Sequence, residues 1–560
     1  HRLRRTHLMP TSEDDLRWLG RSMGHRANPA HSVQGQWQRQ AREVRRLHER
    51  IFYRPLLAAV ARLSSDDAKL SPEAARERLS ALGFRDPGAA MRHIAALTEG
   101  VSRRAAMQRT LLPVMLGWFA DEADPDAGLL AFRRVSDQLG RTHWYLKMLR
   151  DSGSAAERMA HVLSRSQYAA DLLQRAPEAA LMLGDDSGLS PRPAAALRDE
   201  VLAAIRRQDD PDEALESARV IRRRELFRTS VADLVGHSDL EQVGTALTDL
   251  TAAVVSGVLD LAIRRVELRT GEPVPVRLLV VGMGRFGGAE LGYGSDADAM
   301  FVYDPVEDGG DTAALEGASA VVTELRRLLS VPGPEAAIEL DVGLRPEGKN
   351  GPLVRSLASY RSYYERWSLV WEAQALLRAR PVAGDAELGK AFEQMIEPFR
   401  RPVGGLSSAD VREVRRIKAR VEAERLPKGG DPNRHFKLGR GGLADVEWTV
   451  QLLQLQYAAQ VEGLRTTGTL PALAAAVTAG LVTPVDGSVL RDAWSLASRW
   501  RNATALWRGR PVDSLPGDLR DRDGVARILG YPPGAGQAAE DDYLRLTRRS
   551  RQVVERLFYA

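Results

Sequence analysis

The run GYGSDADAMFVYD places two aspartates, Asp296 and Asp298, at positions i and i+2. On a strand, residues so spaced point to the same face. Two like charges held that close are costly unless a cation lies between them. Mg²⁺ suits such a place, because it prefers carboxylate oxygens together with substrate phosphates. Asp341, in IELDVGLRP, falls on another expected strand whose Leu340 and Val342 face the opposite way, and it is the natural third ligand. Three carboxylates on adjacent strands would form a two-metal site for in-line displacement at phosphorus. One ion would lower the pKa of the attacking hydroxyl, and the other would bind a triphosphate and neutralise the departing pyrophosphate. Gly294 and Ser295, just ahead of the pair, let phosphate oxygens approach the backbone.

A competing motif overlaps this one. Gly282, Gly284 and Gly287 spell G-x-G-x-x-G after an apolar run, with Asp304 further on, as a dinucleotide fingerprint asks. That fold needs a crossover helix of about 10 residues or more between two parallel strands. The segment GGAELGYGSDAD leaves room for one or two turns. The glycines therefore read as a tight turn serving the Gly-Ser-Asp site.

The elements that must carry these residues alternate. VPVRLLVVGMG reads as a buried strand, DADAMFVYD as a second, LEGASAVVTELRRLLS as a helix, and AAIELDVGLRP as a third strand, which makes an α/β unit. Around it the chain is helical. In SPEAARERLSALGF, Ser71 and Pro72 open a helix that Gly83 closes, and Asp86, Pro87 and Gly100 repeat the pattern. The fold class is α+β and mostly helical, a mixed sheet with helices flanked by helical bundles. The expected units are a helical tail and linker over 1–60, a helical region over 61–245, a catalytic domain over 246–405 and a helical bundle over 406–560.

Composition bounds the function. The 560 residues are 44% hydrophobic and 27% charged, the proportions of a globular protein. There is no cysteine, so thiolate metal sites, disulfides and cysteine nucleophiles are excluded. Lys+Arg at 79 against Asp+Glu at 74 gives only +5 with no basic stripe, and a nucleic-acid partner is not expected. No uninterrupted apolar run approaches the roughly 18 residues of a membrane helix and no signal segment opens the chain, so a cytoplasmic protein is expected.

Two helical endings resemble each other: REVRRLHERIFY closing at Tyr53 and TRRSRQVVERLFY closing at Tyr559, preceded by RWLG at Arg17–Gly20 and RILG at Arg527–Gly530. The pattern implies two tandem units, the first without its front, in a chain that opens at His1 rather than Met.

Taken together, VVGMGRFGGAELGYGSDADAMFVYD, DVGLRPEGKNGPL, WEAQALLRARPVAGD and KLGRGGLADVEWTVQLLQL resemble the glutamine synthetase adenylyltransferase family. The resemblance spans about residues 270–460 and implies a polymerase-β-type nucleotidyltransferase core in a bifunctional enzyme of two similar halves. One half moves AMP from ATP to a tyrosine of glutamine synthetase; the other removes it by phosphorolysis. The run ELGYGSD, with no second GSDxD upstream, implies the C-terminal, adenylylating half. Asp296, Asp298 and Asp341 would then hold two Mg²⁺ ions. Gly294, Ser295, Arg345, Lys349, Lys437 and Arg440 would contact ATP, with Lys349 also readable as a solvated surface charge. The family's loop usually carries a basic or polar residue where this chain has Gly343.

Lys437, Arg440 and the glycines 439, 441 and 442 read as an anion nest opening a helix. On that helix Asp445 and Glu447 face either the substrate side or local partners, the latter being favoured for Glu447. Trp371, Gln374 and Arg378 share a helical face, read as packing behind the site, and His435 is assigned no role. The resemblance further implies a monomer answering to glutamine and a PII-type signalling protein. The rival readings are a related enzyme such as a PII uridylyltransferase, and a non-catalytic nucleotide-binding regulatory module.

Overall fold

Among the described residues there are five short strands, and helices supply nearly everything else. The computed structural model describes residues 72–560 except 141, 307–309, 332–336 and 428, together with parts of 10–40. Ser71 and the repeat copy ending at Tyr53 lie outside the described residues. The chain divides into two compact units, His1–Leu130 and Ala131–Ala560.

In the first unit the punctuation works as the sequence implies. Helices span Pro72–Ala81, Pro87–Thr98 and Arg103–Ala120. The Asp86 carboxylate caps the second by accepting from the Ala89 amide at 2.8 Å. Asp126 accepts from the Arg85 and Asp86 amides at 2.8 and 3.3 Å, which ties the turn between helices to a later segment.

The second unit is built on β1 (Val276–Gly282), β2 (Ala297–Pro305), β3 (Leu340–Asp341), β4 (Val354–Ser356) and β5 (Arg380–Gly384). The sheet order is β3-β2-β1-β5, with β4 also paired to β2. β1 runs antiparallel to both β2 and β5, whereas β3 and β4 run parallel to β2. The first two strands fall where the hydrophobic runs put them. The third is only two residues long, and β4 and β5 have no comparable apolar run to announce them.

Residues 278–282 of β1 are all buried, as a strand covered on both sides requires. Leu279, Val281, Met300 and Val302 pack into one core with Tyr360, Tyr364, Leu376, Leu388, Phe392 and Ile396. The helix Leu240–Thr270 packs against β5 and against the helices Ala194–Arg206, Pro211–Leu234 and Asp311–Ser330. A reciprocal capping box of Asp239 and Gln242 starts it and Gly271, at φ +77°, ends it. By length and composition this helix could cross a bilayer, but most of its apolar window is buried inside the protein. The boundary expected at 245/246 falls within it, because a single continuous helix joins the helical region to the sheet.

Topology disposes of the dinucleotide motif. The helix between β1 and β2 is one turn, Gly284–Gly287, and the two strands are antiparallel. The glycines serve close approach instead. At Gly284, with φ +51°, an added Cβ would lie 2.2 Å from Asp298 Oδ2. At Gly287 it would lie 1.7 Å from the Arg378 carbonyl oxygen. Backbone cannot yield as a flexible side chain can, so Gly287→Ala is expected to destabilise the protein by about 2–4 kcal/mol. Thermal and urea unfolding check this; an unchanged midpoint would mean that the turn relaxes freely.

Candidate active site

Asp298 lies beside Asp341 because β2 and β3 are parallel and in register there, Ala297 opposite Leu340 and Asp298 opposite Asp341. The register is fixed by the Ala297 amide, which donates to the Glu339 carbonyl at 3.1 Å. On the other edge of β2 the Met283 amide donates to the Asp298 carbonyl at 2.8 Å, so the glycine turn and the aspartate form one unit. Asp296 precedes β2 by one residue and is exposed, as is Asp341. The Asp341 carboxylate accepts from the Gly343 amide at 2.7 Å. An added Cβ at Gly343 would lie 3.1 Å from that carboxylate oxygen, so the missing side chain lets the loop fold back onto Asp341.

Burial pushes the Asp298 carboxyl up to about 6; nearby Lys437 pulls it down, while Asp341, Asp296 and Glu447 add to the rise. Asp341, Asp296 and Glu447 thus act on Asp298, but less than burial and Lys437 do. They are nevertheless not drawn together: among the described residues no three acidic or imidazole groups sit at metal-binding separation. The charge coupling and the spacing are compatible, because Coulomb forces reach further than coordination bonds. The donor set fits a hard divalent cation on chemistry and register, with the exposed Asp296 and Asp341 side chains needing to turn inward to close on it.

Helices from the C-terminal half complete the surroundings. Glu447, on the helix Leu443–Tyr457, lies 3.4 Å from the Arg285 guanidinium and accepts from the Trp494 indole at 3.2 Å. Burial alone would raise its carboxyl, but Arg285, Arg378, the Trp494 bond and Lys437 hold it below the ordinary value. Arg285 also lies over the Trp494 ring at 5.4 Å. Ser295 Oγ accepts from the Gly292 amide at 3.0 Å and from Arg501 at 3.1 Å, and Arg501 in turn pairs with Asp513. The Tyr293 hydroxyl donates to Asp233 at 3.1 Å and its ring meets Tyr168 edge-on at 5.4 Å. The Gly-Ser-Asp segment is thus held by helices from both sides of the sequence. Glu447, Arg285 and Arg501 were not among the expected site residues. Glu447 and Arg501 reach the site from far away in the chain, whereas Arg285 lies within the glycine turn itself, where its side-chain partners could not be read from spacing.

The expected phosphate ligands divide. Lys437 is exposed and close enough to influence Asp298, Glu447 and Asp513. Lys349 and Arg440 are exposed on their loops. Arg345 is a correction: it is 8% exposed, and its guanidinium donates to the carbonyls of Val342, Lys349 and Gly351. An arginine with its donors so committed shapes the loop rather than meeting a substrate.

The anion nest is a second correction. The amides of Arg440, Gly442, Leu443 and Ala444 donate to backbone carbonyls, that of Gly441 to Asp445 and that of Leu438 to His435 Nδ1. Those donors are spent within the loop. Asp445 is buried and also receives Lys418 and Arg551, so it is a structural anchor. In the helix Val370–Leu376 behind the site, Gln374 bonds Gln451 at 2.7 Å and Glu372 accepts from the Leu369 and Glu347 amides and Tyr363, whereas Arg378, expected on the same helical face, lies in the turn that follows and pairs with Glu290.

The half-buried Asp298 and the buried Asp445 should respond oppositely to substitution. Asp298 has a raised carboxyl in the folded state, so its ionisation costs stability as pH rises from about 4 through about 6. Asp298→Asn should raise stability at pH 7 by about 1–3 kcal/mol and have no such effect near pH 4. Asp445 is held below its ordinary value by Lys418 and Arg551 against burial, so its contribution is present above about pH 4 and lost below it. Asp445→Asn should destabilise by about 2–4 kcal/mol at pH 7, because Lys418 and Arg551 lose the more buried of the two carboxylates they share and keep only Glu422 in common. Urea titrations at both pH values read both effects; equal responses would contradict the assignment.

Relatives give this arrangement a context. A family model described as glutamate-ammonia ligase adenylyltransferase matches residues 156–395, which include the whole sheet, and one described as GlnD PII-uridylyltransferase matches the helical residues 415–560. The bifunctional glutamine synthetase adenylyltransferase/adenylyl-removing enzyme of Streptomyces avermitilis is 56% identical over all of this chain, which covers 57% of that relative. The enzymes of the same name from Leifsonia xyli and Mycobacterium tuberculosis are 52% and 46% identical, again over the whole chain, with 55% and 57% of their lengths covered. The chain spans a little over half the length of these curated relatives, and along all of its own length it belongs to the family of bifunctional glutamine synthetase adenylyltransferase/adenylyl-removing enzymes.

Proposed function

We propose that this chain carries the adenylylating activity of such an enzyme: it transfers AMP from ATP to a tyrosine hydroxyl of glutamine synthetase and releases pyrophosphate. The observation that carries this reading is the in-register pair Asp298 and Asp341 beside the Gly294–Asp296 turn, in a chain aligned end to end with adenylyltransferases. The tyrosine oxygen forms a bond to the α-phosphorus, and the bond from that phosphorus to the β-phosphate bridging oxygen breaks. The hydroxyl proton leaves to solvent, and pyrophosphate takes the electron pair.

Asp298, Asp341 and Asp296 are the residues that would hold Mg²⁺, two ions in the full reading. Bound there, the metal supplies Lewis-acid neutralisation of phosphate charge and a lowered pKa for the acceptor hydroxyl. Ser295 is oriented by Arg501 and the Gly292 amide, and Lys437 adds positive charge on the same side as Asp298. The polymerase-β-type core is the fold on which this chemistry is proposed, and the small mixed sheet with flanking helices agrees with it. Phosphorolytic removal of AMP by the rest of the parent enzyme, its response to glutamine and a PII-type protein, its control of nitrogen assimilation, a monomeric state and a cytoplasmic location belong to the same proposal.

One observation favours a second reading, a PII uridylyltransferase, since residues 415–560 match that family's model. That match covers helices and none of the sheet carrying Asp298, which weakens it as a guide to the transferred nucleotide. The two are separated by incubating the chain with Mg²⁺ and either ATP or UTP labelled at the α-phosphate, with glutamine synthetase or a PII protein as acceptor. Label from ATP should appear on glutamine synthetase and vanish in Asp298→Asn, a loss of about 10³-fold or more with the fold retained by circular dichroism. Label from UTP alone, or full transfer by the variant, overturns the assignment.

A further inference from the structure

A cavity of about 240 Å³ is lined by residues 288–292 and Arg285 but by none of Ser295, Asp296, Asp298 or Asp341. It is smaller than the roughly 300–1,000 Å³ of sites for drug-sized molecules, so its occupant has few heavy atoms. Three further parts of the chain wall it: the start of the helix Leu240–Thr270, the loop that opens the helix Thr469–Thr478, and one face of the helix Pro484–Arg508. On that face Trp494, Ser498 and Asn502 follow one another at i, i+4 and i+8.

Asn502 is 7% exposed, and among the described residues its side-chain amide forms no hydrogen bond, although it offers two donors and an acceptor. Most buried polar side chains have partners, because one left without them loses its hydration and gains nothing in return. An added Cβ at Gly292 would lie 2.5 Å from Asn502 Oδ1, so the glycine makes room for the amide at the cavity wall. Backbone strain marks the same wall. Ala289 has φ +59° and is held there by Glu290, whose amide donates to the Arg285 carbonyl at 2.9 Å and whose carboxylate receives Arg378 and Thr469. Such conformations persist at ligand sites where the surroundings over-determine them.

The charges of the inner wall are already matched. Arg285 pairs with Glu447 and Glu290 with Arg378, while the remaining acid of the lining, Glu241, is exposed. An ion would find no uncompensated partner there, and a neutral ligand fits. A planar amide is satisfied by another planar amide whose N–H and C=O stand side by side, as in a primary carboxamide or a lactam, because two hydrogen bonds then close together. Leu291, Leu470 and Pro471 offer apolar contact to the rest of such a molecule.

We propose that this cavity binds a small neutral metabolite with a primary carboxamide or lactam edge, and that Asn502 is the residue that reads it. The site goes beyond the transfer reaction assigned above and does not depend on it. An occupant would nevertheless touch that machinery, since Arg285 holds Glu447 and the Gly292 amide holds Ser295.

The test is ligand-observed saturation-transfer NMR on the full chain with propionamide and 2-pyrrolidinone, which separate an open-chain source from a cyclic one. At least one should bind at about millimolar concentration, the strength open to a ligand of so few atoms. N-methylacetamide, whose trans bond points N–H and C=O apart, should bind about tenfold more weakly, the loss of one of two hydrogen bonds. Asn502→Ala should lose about tenfold or more without a lowered melting temperature, because its amide gives up no bond within the protein. Thr245→Phe, at an exposed position of the wall, should block binding by filling the space. Binding of neither amide by the parent, or parent-like binding by Asn502→Ala, overturns the proposal. Displacement of the bound amide by ATP with Mg²⁺ also overturns it, since the cavity would then belong to the nucleotide.

Discussion

The arrangement depends on a carboxylate that is largely removed from water beside other acids. Parallel pairing of β2 with β3 sets Asp298 directly beside Asp341, with Asp296 and Glu447 close enough to oppose ionisation further. A buried carboxyl in such company favours its protonated form unless a cation intervenes. Lys437 meets that need in part, but a single side-chain ammonium does not offset three acids and burial together. On the proposed reading, a divalent ion would supply the positive charge that the site lacks.

Much of the second unit serves to keep that pair in place. The one-turn helix after β1 has glycines where any side chain would collide with Asp298 or with the Arg378 carbonyl. Arg378 is in turn tied to Glu290, and Arg285 to Glu447, so the turn is bolted to its surroundings by buried ion pairs. Tyr293 and Ser295, on either side of Gly294, are held by Asp233 and Arg501 from helices on opposite sides of the sheet in sequence. Buried pairs of this kind add little net stability but fix geometry, which the proposed nucleotidyl transfer would need.

The local part of this was legible in the sequence. β1 and β2 were apolar runs, and Asp341 falls on a strand beside Asp298, while Asp296 lies one residue short of the strand on which the i, i+2 spacing placed both aspartates. The dinucleotide motif could be dismissed by counting residues available for a crossover. What spacing could not supply was the fate of each donor. Arg345 looked like a phosphate ligand because it follows Asp341, but its guanidinium finds carbonyls of its own loop first. The loop with Gly439, Gly441 and Gly442 looked like an anion nest, but the Gly441 amide donates to Asp445 and the Gly442 amide to the Gly439 carbonyl, and Asp445 is held by Lys418 and Arg551. Arg501 lies more than two hundred residues after Ser295, beyond any local pattern.

The central claim is that Asp298 and Asp341 share a divalent cation. The most direct measurement is anomalous diffraction from crystals grown with Mn²⁺ and a non-hydrolysable ATP analogue. An anomalous peak between the carboxylates of Asp298 and Asp341, with Asp296 turned toward it, is the predicted result. Ordered nucleotide with no peak between those two carboxylates would contradict the account.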